Sequence, residues 1–226
     1  MKVTLVSITQ PTVTDNAGRT LTPEELIVYC ARVSNPNNQG NMDTAHKLLK
    51  YCIDNGHWSI FEQVNIGFEV VTSRAISAQI LRHWSIKPQE FSQRYAEVVE
   101  IEPIEIRMQG ATNRQSSEDV FDPIINLKSL GSMLASEAIN DLLKLTKEMY
   151  VALLEAGVAR ECARMILPMA SQTTLYLNGS VRSWIHFFQQ RKSLHTQKEH
   201  RVIANAISDI FATHFPIISE ALLTNK

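Results

Sequence analysis

Apolar and polar positions alternate or cluster along the chain in ways that predict its elements. "KVTLVSI" (2–8) is β-branched and apolar and predicts an opening strand. "TPEEL" (22–26) predicts a helix start: Thr22 caps, Pro23 suits the first turn, and Glu25 reaches back in a capping box. That helix should run to about Val33 and stop before the turn-rich "SNPNNQGN". "DTAHKLLKYCIDNG" predicts a second helix with Asp43 near its cap and Gly56 past its end. "VNIGFEVVT" alternates as a strand, and 73–83 predicts a third helix. "AEVVEIEPIEIRM" (96–108) reads as strand, and the polar 109–123 as a mobile loop.

The remainder is mostly helical. One long helix is predicted over 126–156, stopped by Gly157, and a short one over 160–167, ended by Pro168. "TTLYLNG" (173–179) predicts a strand, then helices follow over 180–192 and 196–214. The sum is an α+β fold: a single domain, 1–226, with a modest, mostly antiparallel sheet packed by several helices.

Composition adds boundaries. A chain of 226 residues buries roughly 70% of its unfolded surface without staples. The formal net charge of −1 gives no global drive toward nucleic acid or membrane, so any basic site must be local. The three cysteines, Cys30, Cys52 and Cys162, are widely spaced and form no CxxC or zinc pattern, which suits a reducing cytoplasm. "MKVTLVSITQP" has neither the apolar core nor the cleavage site of a signal peptide. No apolar run approaches the ~20 residues of a membrane span. GxGxxG, GxxxxGK[ST] and GxSxG are all absent, and no cysteine sits in an activated context.

Several polar residues occupy costly places. In "SVRSWIHFFQQRK" (180–192), Arg191 lies seven, four and three residues beyond Trp184, Phe187 and Phe188, on their apolar face. A guanidinium there needs an anion or an acceptor; the other reading is a cation at a helix end, satisfied by terminal carbonyls. Arg74, Ala78 and Arg82 share a narrow polar face, either solvated or turned to a ligand. Arg164 has Glu161 at spacing three as an ordinary partner. His195 and Glu199 form half a metal site without a third ligand, or simply a solvated helix start; no metal is expected. His57, after Gly56, reads as structural or catalytic. "RHWSIKPQEFSQRY" (82–95) interleaves three aromatics with charges and amides. It is either a solvated loop or a set of donors aimed at an anionic, aromatic ligand. Positioning of an anion, with a cofactor carrying the chemistry, fits better than covalent catalysis by a side chain.

Six stretches in order resemble the flavin-dependent thymidylate synthases. The family hallmark is Arg-His-Arg, seven residues, then Ser; here Arg82-His83-Trp84 precedes Ser92 at that spacing. "ARVS" (31–34), "GHWSIFEQ" (56–63), "ARMILP" (163–168), "NGSVRSWIHFFQQR" (178–191) and "HTQKEHR" (195–201) match further blocks. The resemblance implies reductive methylation of dUMP to dTMP. Methylenetetrahydrofolate would give the carbon, reduced FAD the hydride, and NADPH would re-reduce the FAD. It implies a homotetramer whose active sites combine subunits; the cysteine usage, net charge and hydropathy read above add the expectation of a cytoplasmic protein with no nucleic-acid or membrane partner.

By the same resemblance, Ser34, Ser59, Arg82, His83, Trp84, Glu90, Ser180, Arg182 and His186 are FAD neighbours. Gln79, Arg82, Glu90, Phe91, Ser92, Gln93, Arg94 and Arg164 form the nucleotide pocket, and Arg191 binds and activates the uracil ring. Trp84 departs from the family arginine; its indole either stacks on a flavin or adenine ring or fills apolar space. Lys87 stands three residues on as a source of the lost charge. Gln63 replaces a common histidine, and Ser180 and His186 replace asparagines of some members. The alternative from another class is a non-catalytic nucleotide- or nucleic-acid-binding relative, motivated by Trp84 and the basic stretch from Arg191 to Arg201.

Overall fold

A computed structural model describes residues 1–98 and 100–223. Strand β1 (Lys2–Ile8) is followed by helices α1 (Pro23–Ala31) and α2 (Ala45–Asp54), strand β2 (Asn65–Ser73), helix α3 (Arg74–Ile80) and strand β3 (Lys87–Glu90). Two hairpins come next, β4 (Arg107–Gln109) with β5 (Ser117–Val120), and β6 (Ile124–Leu127) with β7 (Gly131–Leu134). Helices α4 (Ala135–Glu155) and α5 (Arg160–Ala163) precede strand β8 (Gln172–Ser180). Helices α6 (Val181–Arg191), α7 (Lys198–His214) and α8 (Pro216–Leu223) complete the described chain. The strands β1-β2-β8-β3 form one sheet in that order, and both hairpins are antiparallel. The α+β class is as the sequence predicts. Among the described residues, no helix is long and apolar enough to cross a membrane.

The chain falls into two compact units. The first holds Met1, Val71–Ile80 and Glu90–Thr174; the second holds Lys2–Val70, Leu81–Gln89 and the chain from Leu175 onward.

In the second unit, the capping box forms as read. The Thr22 hydroxyl accepts the Glu25 N–H at 3.2 Å, and the Glu25 carboxylate accepts the Thr22 N–H at 2.8 Å. Ile66, Phe68 and Val70 alternate inward along β2 and are buried. Trp184 is fully buried, and its indole N–H donates to the Ile66 carbonyl at 2.9 Å. That bond satisfies the one polar atom of a side chain whose truncation in a core costs about 3–5 kcal/mol.

In the first unit, Val98, Tyr150 and Ala163 are buried, with Phe91, Leu153, Leu154, Val158 and Leu167 against them. Helix α4 buries only Ala135 and Tyr150 of its 21 residues, and Leu142, Leu145 and Met149 form an exposed apolar stripe.

Several predicted elements differ. The long helix starts at Ala135, because 124–134 folds as the β6–β7 hairpin. Gly131 takes φ +80° there, a backbone state that a helix does not contain. The strand read over 96–108 is reduced to an isolated bridge between Ile101 and Ser171 and the start of β4; Pro103 interrupts it, and residue 99 lies outside the described residues. Residues 109–123, read as a loop, contain β5 paired with β4. Helix α3 ends at Ile80, so Arg82 lies beyond it and does not share a helical face with Arg74 and Ala78. Helix α2 begins as read, with Asp43 next to the cap residue Thr44, which makes no side-chain capping bond. Strand β3 and helix α8 have no counterpart in the sequence reading.

Candidate functional site

In the second unit, Ser180 starts α6, and its hydroxyl accepts the Ser183 N–H at 3.3 Å. The helix period turns Arg182 and His186 away from the buried face of Trp184, Phe187 and Phe188, and brings Arg191 round onto that face at the helix end. The buried ring of His83 lies 5.2 Å from that of His186 and 5.4 Å from that of Phe187. On the α7 side, the Phe187 ring lies 5.8 Å from buried His200. Nε of Arg191 and Nε2 of His83 are buried and have no hydrogen-bond partner.

Charge in this cluster is one-sided. Burial lowers the pKa of His83, with the neighbouring His186 and Arg191 pushing the same way and a hydrogen bond to the Ser183 backbone opposing. Burial and Arg191 push His200 down to about 4, with a smaller contribution from His83. The lowered pKa values of His83 and His200 leave a guanidinium, that of Arg191, beside two imidazoles that resist taking up a proton. Such a place suits an anion or a group on which negative charge develops.

A cleft of about 330 Å³ opens in the same unit, with Trp58, Glu62, Ser85, Arg182, Ser183 and His186 in its walls. That volume is in the range of small-molecule sites, roughly 300–1,000 Å³. Arg182 is held across it by Glu62 at 3.1 Å, and Nε2 of His186 lies 2.9 Å from the Gln190 amide. Trp58, Glu62, Ser85 and Ser183 are additions to the sequence-predicted set. Trp58 and Glu62 stand inside the "GHWSIFEQ" block, so that block carried the signal. Ser34, Ser59 and Arg82 are exposed in this unit and do not line the cleft. Trp84 is 89% exposed, and Lys87 Nζ donates to its carbonyl at 3.1 Å.

The first unit gathers a second group. Oε1 of Glu90, at the end of β3, meets Arg74 at 2.7 Å, Ser77 Oγ at 2.5 Å and Thr173 Oγ1 at 3.1 Å. Phe91 continues the strand by donating its N–H to the Thr174 carbonyl at 2.9 Å. Gln93 is buried with Nε2 unpartnered, and half-buried Arg164 has Nε buried and unpartnered. Glu161, the partner expected for Arg164, pairs with Arg94 at 3.2 Å. The Ser92 hydroxyl accepts the Arg94 N–H at 3.4 Å, and Gln79 is half-buried on α3.

The two predicted sets therefore sort by unit. All flavin positions except Glu90 fall in the second, and all nucleotide positions except Arg82 and Arg191 fall in the first. Burial raises the thiol pKa values of Cys30 and Cys52. Among the described residues, no group of three or more His, Cys, Asp or Glu side chains is placed to hold a metal, so His195 and Glu199 gain no third ligand.

Residues 18–217 match the model of the thymidylate synthase complementing protein family. The chain is 46% identical over 222 residues to a flavin-dependent thymidylate synthase of Synechocystis, covering 98% of this chain and 99% of that protein. It is 47% identical over 223 residues to a probable flavin-dependent thymidylate synthase of Paramecium bursaria Chlorella virus 1, with 98% and 99% covered. Its fold is similar to the crystal structure of the UMP/dUMP methylase PolB from Streptomyces cacaoi bound with 5-Br dUMP. That likeness has a TM-score of 0.76 at 21% identity and covers 99% of this chain and 94% of the other.

Proposed function

The chain belongs to the flavin-dependent thymidylate synthases, and we propose that it methylates dUMP reductively to dTMP with FAD, methylenetetrahydrofolate and NADPH. One observation carries the reading at the level of residues. Four buried polar atoms without partners, on His83, Gln93, Arg164 and Arg191, belong to side chains that the family resemblance assigns to ligands. Buried donors without acceptors are costly, and ligand atoms would satisfy them.

The residues of the second unit fit a flavin. His83, His186, Ser180 and Arg182 would hold it, with Ser34, Ser59 and Arg82 as further contacts, and exposed Trp84 offers a ring for stacking; Glu90, the remaining position that the resemblance assigns to FAD, belongs to the first unit. Bound there, reduced FAD would supply the hydride that completes the new methyl group.

The chain's own part is binding and electrostatics. The guanidinium of Arg191 stays charged and presents a planar fork, so it stabilises negative charge developing on the uracil ring and favours attack from carbon 5. Ser92, Arg94 and Arg164 donate to the nucleotide phosphate, while Gln79, Phe91 and Gln93 orient the base and sugar. Charge-assisted bonds of this kind contribute about 1.5–3 kcal/mol each. The active assembly in this reading is a cytoplasmic homotetramer, in keeping with the exposed stripe of Leu142, Leu145 and Met149 on α4.

The test is reconstitution. Purified protein should carry or take up a yellow chromophore and form dTMP only with dUMP, methylenetetrahydrofolate, NADPH and FAD together. Turnover by fully FAD-stripped protein would overturn the reading. Strongly salt-dependent DNA binding without flavin retention would favour the non-catalytic alternative.

A further inference from the structure

We propose that Arg74, Ser77 and Thr173 are positioning residues that fix one oxygen of Glu90 so that its other oxygen receives a donor of the bound nucleotide. The inference rests on the reading of Glu90 as a ligand-contacting residue. Its geometry lies wholly within the first unit.

A carboxylate offers about four acceptor positions on two oxygens. Here two hydroxyls donate to Oε1, Ser77 at 2.5 Å and Thr173 at 3.1 Å, and the Arg74 guanidinium pairs with the same oxygen at 2.7 Å. Both hydroxyls spend their bonds on Oε1 and neither on Oε2. The two hydroxyls are nearly inaccessible to solvent, with Ser77 at 1% and Thr173 at 2% exposure. They come from α3 and β8, and the chain just ahead of β8 is tied to the start of α3: the Arg74 N–H donates to the Ser171 carbonyl at 2.9 Å. The carboxyl plane is thereby fixed by groups that cannot move independently. Arg74 does a second thing. It neutralises the carboxylate, which would otherwise repel a nucleotide phosphate. The outcome is a neutral hub that keeps one directional acceptor, suited to a sugar hydroxyl or an imide N–H of the nucleotide.

The experiment uses the full chain loaded with FAD, with dUMP binding measured at equilibrium and flavin absorption and thermal midpoint read on the same samples. Thr173→Val and Ser77→Ala should each raise the Kd for dUMP about fivefold or more, as expected for loss of a bond to a charged group. Thr173→Ser should restore binding to within about twofold, since it keeps the hydroxyl. Flavin absorption should stay unchanged. In a double-mutant cycle, Thr173→Val should add little once Glu90→Gln is present, because both act through one carboxylate. Additive losses would overturn the proposal. So would wild-type binding by Thr173→Val and Ser77→Ala beside a weakened Glu90→Gln, a result that leaves the nucleotide reading standing. Failure of the unaltered protein to bind dUMP would instead overturn that reading. Arg74→Gln, at a half-buried position, carries the same test should a buried variant fail to fold.

Discussion

The carboxylate of Glu24, in the first turn of α1, accepts the backbone N–H of Ile218 at the start of α8 at 2.8 Å. Burial pushes its pKa up to about 7, against the hydrogen bonds from Ile218 and Ile217 and with a small push from Glu25. The folded state thus favours protonated Glu24, and its contribution to stability is full below about 4.5 and falls as pH rises through about 7. His200 runs the opposite way. Its contribution is full above about 6.5 and is lost as pH falls through about 4. The windows overlap, so the two effects offset one another in the wild type. In urea titrations, Glu24→Gln should be more stable at pH 8 than at pH 5 by about 2 kcal/mol relative to wild type, and His200→Leu less stable by a similar amount. Variant curves that run parallel to wild type would refute the assignment.

Arg191→Ala should lower turnover about a hundredfold or more, the scale of a lost partner for charge in the transition state. The flavin spectrum should be retained. Normal turnover would make Arg191 only a helix-end cation.

Trp84 fills no core space in this chain, since 89% of it is exposed. Trp84→Ala should therefore leave the thermal midpoint nearly unchanged, within about 0.5 kcal/mol of stability. Its FAD affinity should fall about tenfold or more, the scale of a lost aromatic stack. Trp84→Arg should weaken FAD binding as well; tighter binding would sink the stacking role.

Arg164→Ala should weaken dUMP binding about tenfold or more while FAD affinity holds, because the guanidinium lies in the first unit and its Nε has no protein partner. An unchanged Kd for dUMP, measured calorimetrically, would return Arg164 to a structural role.

What was legible in the sequence was local. Thr22 and Glu25 mark a helix start within four residues, and they make the predicted bonds. Arg191 was conspicuous because helical spacing alone sets it on the face of Trp184 and Phe188, and its Nε is buried without a partner. Partnered structure was harder to see. β3 reads "KPQE", with no apolar letter but its proline; it is a strand because it lies at the sheet edge beside β8, where a missing N–H is tolerated. "IINLKSLGSML" carries leucines and isoleucines at spacings compatible with helix, and the turn ahead of Gly131 decides for a hairpin. Arg74 and Thr173 were invisible as companions of Glu90 because 99 residues of chain separate them and only the fold brings both to one oxygen.

The two units are interleaved along the chain, and β2, β3 and β8 each carry residues of both. A genetic crossover at any single position therefore breaks at least one of them. Neither unit passes whole into a hybrid gene without part of the other. Positions assigned to flavin and positions assigned to nucleotide must be inherited together, and a lineage that retunes one set does so against the resident version of the other.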